Sequence, residues 1–94
     1  MTIILDVSAA IQIILKKEKM DLYKNVFKEA SWVIAPDLYI PELTNVLWKY
    51  HSKKILKHEE CQQYVEDGIA LIDDYFPSGE YWKEVLGECI KNNH

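Results

Sequence analysis

The chain contains no arginine, so all eleven of its cationic side chains are lysines. Bidentate recognition of a carboxylate, a phosphate or a base edge by guanidinium is therefore excluded, and lysine can contact phosphate only as a point charge. Cysteine is nearly as scarce. Cys61 and Cys89 match no metal-binding or redox spacing, and both fall on expected apolar helix faces, which predicts buried, reduced thiols. There is no low-complexity tract, internal repeat or linker-like segment. No apolar run approaches the length of a membrane span, and the N-terminus lacks the basic region and cleavage site of a signal peptide. The cytoplasm is the expected compartment, with no membrane association. A formal charge of −4 argues against a large nucleic-acid footprint built on bulk charge.

What is present is a chain of 94 residues, 49% apolar, enough for one domain with a modest core. Ile3-Ile4-Leu5 reads as a short buried strand, with Asp6 where it should end. Ser8 is a plausible N-cap for the apolar run Ala9 to Leu15, although Asp6 itself is an equally familiar capping residue. Tyr23, Val26, Phe27 and Ala30 repeat at i, i+3, i+4, i+7 and predict a second, amphipathic helix. Trp32 to Ala35 predicts another buried strand, closed by Pro36. A third helix follows, capped by Asp37 or begun at Pro41, with Leu43, Val46, Leu47 and Tyr50 as its apolar stripe. After a lysine-rich turn over 52–57, a fourth helix is expected from Glu59 to Asp74. Gly68 on its apolar side predicts close approach of another element. Asp73 to Pro77 either ends that helix or holds a third strand. Ser78 would cap a last helix with Trp82, Val85, Leu86, Cys89 and Ile90 on its core face.

This order predicts an α/β fold: a layer with a short central parallel sheet flanked by helices, small enough to read as a domain lacking its final section. In such a layer Asp6, closing the first strand, and Glu42, opening the helix after the second, belong to the same C-terminal edge of the sheet. Two carboxylates there would share a cation or a proton. Hard oxygen donors suit Mg²⁺ or Mn²⁺, which activates water and neutralises charge on a phosphodiester. Ser8 would brace the Asp6 carboxylate, and Asn45, one turn after Glu42, would support the site or hold substrate. The competing reading makes Asp6 a helix cap and Glu42 a first-turn carboxylate that favours the helix dipole.

Ile-Leu-Asp6-Val-Ser8-Ala, followed by Ile34-Ala-Pro36-Asp-Leu-Tyr-Ile-Pro-Glu42-Leu-Thr-Asn45-Val-Leu-Trp, resembles the PIN-domain family, and most of all the VapC-type toxins of prokaryotic toxin–antitoxin pairs. The likeness runs on through Ile55 to Glu60 and the last helix. It implies a metal-dependent endoribonuclease in which Asp6 and Glu42 match the first two metal-binding acids. Ser8 matches the hydroxyl residue after the first acid, and Asn45 a polar position near the site. RNA is then the substrate, and an antitoxin protein the partner. The family's third and fourth acids fall beyond His94, and Asp73 and Asp74 do not replace them. The resemblance therefore implies an incomplete PIN-like domain over 1–94, with Asp6 following an edge strand open to pairing with a second chain. The alternative is a catalytically incomplete remnant that self-associates or binds an antitoxin.

The remaining polar and aromatic residues read as ordinary structure. His51 and His58 are expected at the surface rather than on a metal. Lys49, Lys53, Lys54 and Lys57 read better as a solvated face than as an RNA path. Trp32, Trp48 and Trp82 are expected in the core.

Overall fold

The computed structural model describes residues 1–77 and Gly79. Three short parallel strands form one sheet: β1 (Thr2–Ile4), β2 (Trp32–Pro36) and β3 (Asp74–Phe76), in the order β1-β2-β3. The register pairs Ile3 with Val33 and Ile4 with Ile34, then Ala35 with Tyr75 and Pro36 with Phe76. The helices α1 (Val7–Ile14) and α2 (Met20–Lys28) connect β1 to β2, and α3 (Tyr39–Ser52) and α4 (His58–Ala70) connect β2 to β3. An α/β architecture with a small parallel sheet and flanking helices is thus present. The strand left open between Asp73 and Pro77 is β3, and α4 stops four residues before its expected end.

Two crossovers that step in one direction put all their helices on one face, because parallel βαβ connections are right-handed. The burial pattern agrees. Val33 and Ala35 of β2 are buried, and Ile3 and Leu5 join them in the core, whereas the alternating residues Ile4 and Ile34 stay outside that core. The centre of the core is Ala9, Ala10 and Ile11 of α1 against Tyr39, Leu43 and Leu47 of α3. The apolar stripe expected for α3 divides as a half-embedded helix should: Leu43 and Leu47 are fully buried, and Val46 and Tyr50 lie at the margin.

Several local expectations are corrected. Ser8 is not the cap of α1. Asp6 is, with extended backbone (φ −92°, ψ 168°) and its Oδ1 accepting the Ala9 N–H at 2.8 Å. The chain leaves β1 still bonded to β2, Leu5 N–H to Ile34 carbonyl at 2.9 Å, so the first residue free to turn is Asp6. Neither Asp37 nor Pro41 begins α3. Leu38 is its cap residue, without a side-chain bond, and Pro41 is the third helical residue, where its missing N–H is still among the orphan donors of a helix start. Trp32 and Trp48 are not core residues; they are 45% and 62% exposed. Gly68 behaves as expected: a Cβ there would collide with Leu43 Cδ2. Cys61 is a half-buried free thiol, its Sγ 3.3 Å from the Leu47 carbonyl, and burial pushes its pKa up. Ser78, Cys89 and the last helix with its Trp82 fall outside the described residues.

Candidate functional site

The C-terminal edge of the sheet is where β1 hands over to α1 and β2 to α3. Asp6 is half-buried in the first of these junctions. Its backbone carbonyl accepts from Ala10 at 3.1 Å while its side chain caps the helix. A carboxylate in that position faces the positive end of α1. The cap engages Oδ1, and Oδ2 has no hydrogen bond among the described residues.

Glu42 stands at the second junction. It lies in the first turn of α3, its N–H bonded to the Leu38 carbonyl at 3.0 Å, and its side chain is exposed. Asn45 follows one turn later, also exposed. Ser8 is the second residue of α1 and is exposed beside Asp6. Asp6, Ser8 and Glu42 thus sit on the two helix starts that follow neighbouring parallel strands, with Asn45 one turn further into α3.

Sequence reasoning passed over Tyr39, the first residue of α3. It is 1% exposed and donates its hydroxyl to the Gly68 carbonyl at 2.8 Å. Its ring lies 6.2 Å from that of Tyr75, tilted by 51°. Burial raises the Tyr39 phenol strongly, and the neighbouring Tyr75 and the carboxylate of Asp6 add to the effect. The last contribution ties Asp6 to α3: its charge reaches the residue three positions before Glu42. Burial also pushes the Tyr75 phenol up.

Asp73 and Asp74 lie at the opposite edge, where β3 begins. Asp73 accepts the Val33 N–H at 2.8 Å, and Asp74 accepts from the Trp32 indole at 2.6 Å. Both carboxylates are committed to closing the start of β2, which accords with the expectation that they supply no part of the Asp6 site.

No family model matches the chain, and no curated protein matches it.

Two carboxylates on one sheet edge are a hard-oxygen donor set. Among the described residues no group of three or more histidine, cysteine, aspartate or glutamate side chains is placed to hold an ion. That composition fits Mg²⁺ better than Zn²⁺, since Mg²⁺ is commonly held by one or two carboxylates and completes its shell with water and substrate phosphate. Among the described residues the histidine and cysteine donors, His51, His58 and Cys61, line a cleft between α3 and α4. Among the described residues no helix is long and apolar enough to cross a membrane.

Proposed function

We propose that the chain is a PIN-type, metal-dependent endoribonuclease of the kind that serves as the toxin of a cytoplasmic toxin–antitoxin pair. The observation that carries this reading is the placement of Asp6 and Glu42 on the two helix starts that follow adjacent parallel strands, the edge at which open α/β sheets bind ligands. Asp6 and Glu42 would hold Mg²⁺ or Mn²⁺. Such an ion supplies a nucleophilic water and neutralises charge on the phosphodiester. The Ser8 hydroxyl would support the Asp6 carboxylate, and the Asn45 amide would hold substrate beside Glu42. The sequence likeness in the two segments around Asp6 and Glu42 supports the same assignment.

The test is cleavage of single-stranded RNA with Mg²⁺ or Mn²⁺ and with a chelator. Cleavage should require the metal and disappear in Asp6→Asn and Glu42→Gln. Cleavage that persists in both variants refutes the reading.

A second reading is favoured by the open edge of β1, which pairs only with β2 among the described residues. An edge strand exposes unpaired backbone groups and recruits another chain. On this reading the protein is a non-catalytic module that self-associates or binds an antitoxin. It predicts a dimer or larger species by light scattering, and a monomer with metal-dependent cleavage would reject it.

A further inference from the structure

We propose that His51 and His58, brought together where α3 turns into α4, form a two-imidazole site for a borderline divalent cation such as Zn²⁺ or Ni²⁺. The site is separate from the sheet edge and does not depend on the nuclease reading. His51 follows Glu42 by nine residues, about 14 Å along the helix axis.

The two rings meet edge to face, 6.1 Å between centroids at 75°. An ion held at about 2.1 Å by one nitrogen of each ring lies about 3.2 Å from each ring centre, so tetrahedral coordination sets the centres about 5 Å apart. The observed spacing is within about 1 Å of that, and the turn of one side chain closes the difference. His58 can make that turn. It is the first residue of α4, its side chain is exposed, and its ring has no hydrogen-bond partner among the described residues.

His51 is already oriented as a ligand. Its Nδ1 lies 2.9 Å from the Leu56 carbonyl. A carbonyl only accepts, so Nδ1 carries the hydrogen and the lone pair stands on Nε2. Metal-bound histidines are commonly fixed in this way, by a backbone carbonyl on the nitrogen that does not bind the ion.

The surroundings decide the kind of ion and the strength of the site. Imidazole nitrogen suits Zn²⁺, Ni²⁺ or Cu²⁺, whereas Mg²⁺ prefers oxygen and belongs with Asp6 and Glu42. Both histidines line the cleft between α3 and α4, and Glu66 on its wall favours a cation over an anion. Lys53, Lys54 and Lys57 in the turn work against a cation, as does the positive end of α4. Cys61 stands one turn after His58, but its thiol is bonded to the Leu47 carbonyl at 3.3 Å. Two imidazoles with water in the other positions therefore make a weaker site than a closed structural one. The ion would tie the end of α3 to the start of α4 across a turn in which Lys54 holds a left-handed backbone (φ 61°). That conformation is costly for a residue with a Cβ, and a link across the turn holds it in place.

The experiment is calorimetric titration of Zn²⁺, with thermal unfolding in its presence and absence, on the whole chain free of any polyhistidine tag. The unfolding midpoint of the wild type should rise with Zn²⁺ concentration, because the ion binds the folded chain alone. His58→Ala should unfold at the wild-type temperature without metal, since that side chain is exposed, and should lose the Zn²⁺-dependent rise. His51→Ala and His58→Ala should each weaken binding by at least about 10-fold, because loss of a group that merely orients a ligand already costs that much. The histidine-dependent binding should persist in Asp6→Asn. Wild-type Zn²⁺ affinity in His58→Ala overturns the proposal. So does loss of all Zn²⁺ binding in Asp6→Asn, which would assign the ion to the sheet edge.

Discussion

Tyr39 and Gly68 determine how closely α3 and α4 approach. The Tyr39 hydroxyl donates to the Gly68 carbonyl at 2.8 Å, and the missing Cβ of Gly68 leaves the space that Leu43 fills. Glycine inside a helix forfeits about 1 kcal/mol relative to alanine, so the close contact must return at least that much.

Gly68→Ala therefore sets two effects against each other. Helix propensity gains about 1 kcal/mol, while the added methyl drives into a fully buried leucine and overpacks the interface by about 1–3 kcal/mol. The net expectation is destabilisation of roughly 1 kcal/mol, a fall of about 5 °C in the midpoint of thermal unfolding. A rise in that midpoint would show that Leu43 can yield at little cost.

Tyr39→Phe removes the hydroxyl and leaves the ring. Stability at neutral pH should fall by about 1 kcal/mol, the usual net worth of an intramolecular hydrogen bond. The alkaline behaviour is more diagnostic. The folded phenol has its pKa raised above the unfolded value of about 10, so the folded chain holds this proton more tightly than the unfolded one. Its contribution is therefore complete below pH about 10 and is lost progressively above it. Denaturant titrations at pH 8 and pH 11 should show a smaller alkaline loss for Tyr39→Phe than for wild type.

Asp73 extends the ladder of β2 with its side chain. Its N–H donates to the Val33 carbonyl at 2.8 Å, and its carboxylate accepts the Val33 N–H at 2.8 Å. Asp73→Ala leaves that partly buried N–H without its acceptor and should cost about 1–2 kcal/mol. Hydrogen exchange at the Val33 amide should accelerate in Asp73→Ala and recover in Asp73→Asn, which retains an oxygen acceptor. Unchanged protection in Asp73→Ala would mean that β2 is held by its strand partners alone.

Local periodicity made β2, the α3 stripe and the packing of Gly68 legible, because each depends on the chain's own alternation. The end of α4 was not legible in that way. Leu71 and Ile72 prolong an apolar pattern, but Asp73 is captured by Val33, forty residues away, and the chain becomes a strand. The cap of α1 stayed open in the sequence because Asp6 and Ser8 are both good capping residues two positions apart. The choice fell to the last bond between β1 and β2, again a non-local event. Trp48 follows Leu47 in sequence, yet one step along a helix turns a side chain by about 100°, enough to move it from core to surface. Asp6 and Glu42 could be assigned to one sheet edge from element order. The buried Tyr39 that lies within reach of Asp6 could not, since a tyrosine at a helix start carries no pattern of its own.

Asp6 has two roles to separate, and two substitutions separate them. As a cap, its carboxylate holds the Ala9 N–H at 2.8 Å; as a proposed ligand, it needs its negative charge. Asparagine caps a helix about as well as aspartate, whereas alanine forfeits about 1 kcal/mol. Asp6→Asn should therefore unfold close to the wild-type temperature, and Asp6→Ala about 5 °C lower. Under the ligand role both variants lose metal-dependent RNA cleavage, and calorimetric titration with Mn²⁺ shows the loss directly in each. If Asp6→Asn keeps full Mn²⁺ affinity, the carboxylate serves only the helix. A loss of Mn²⁺ binding in Asp6→Asn at unchanged stability would assign the charge to the ion and the oxygen to the cap, two functions carried by one side chain at the end of β1.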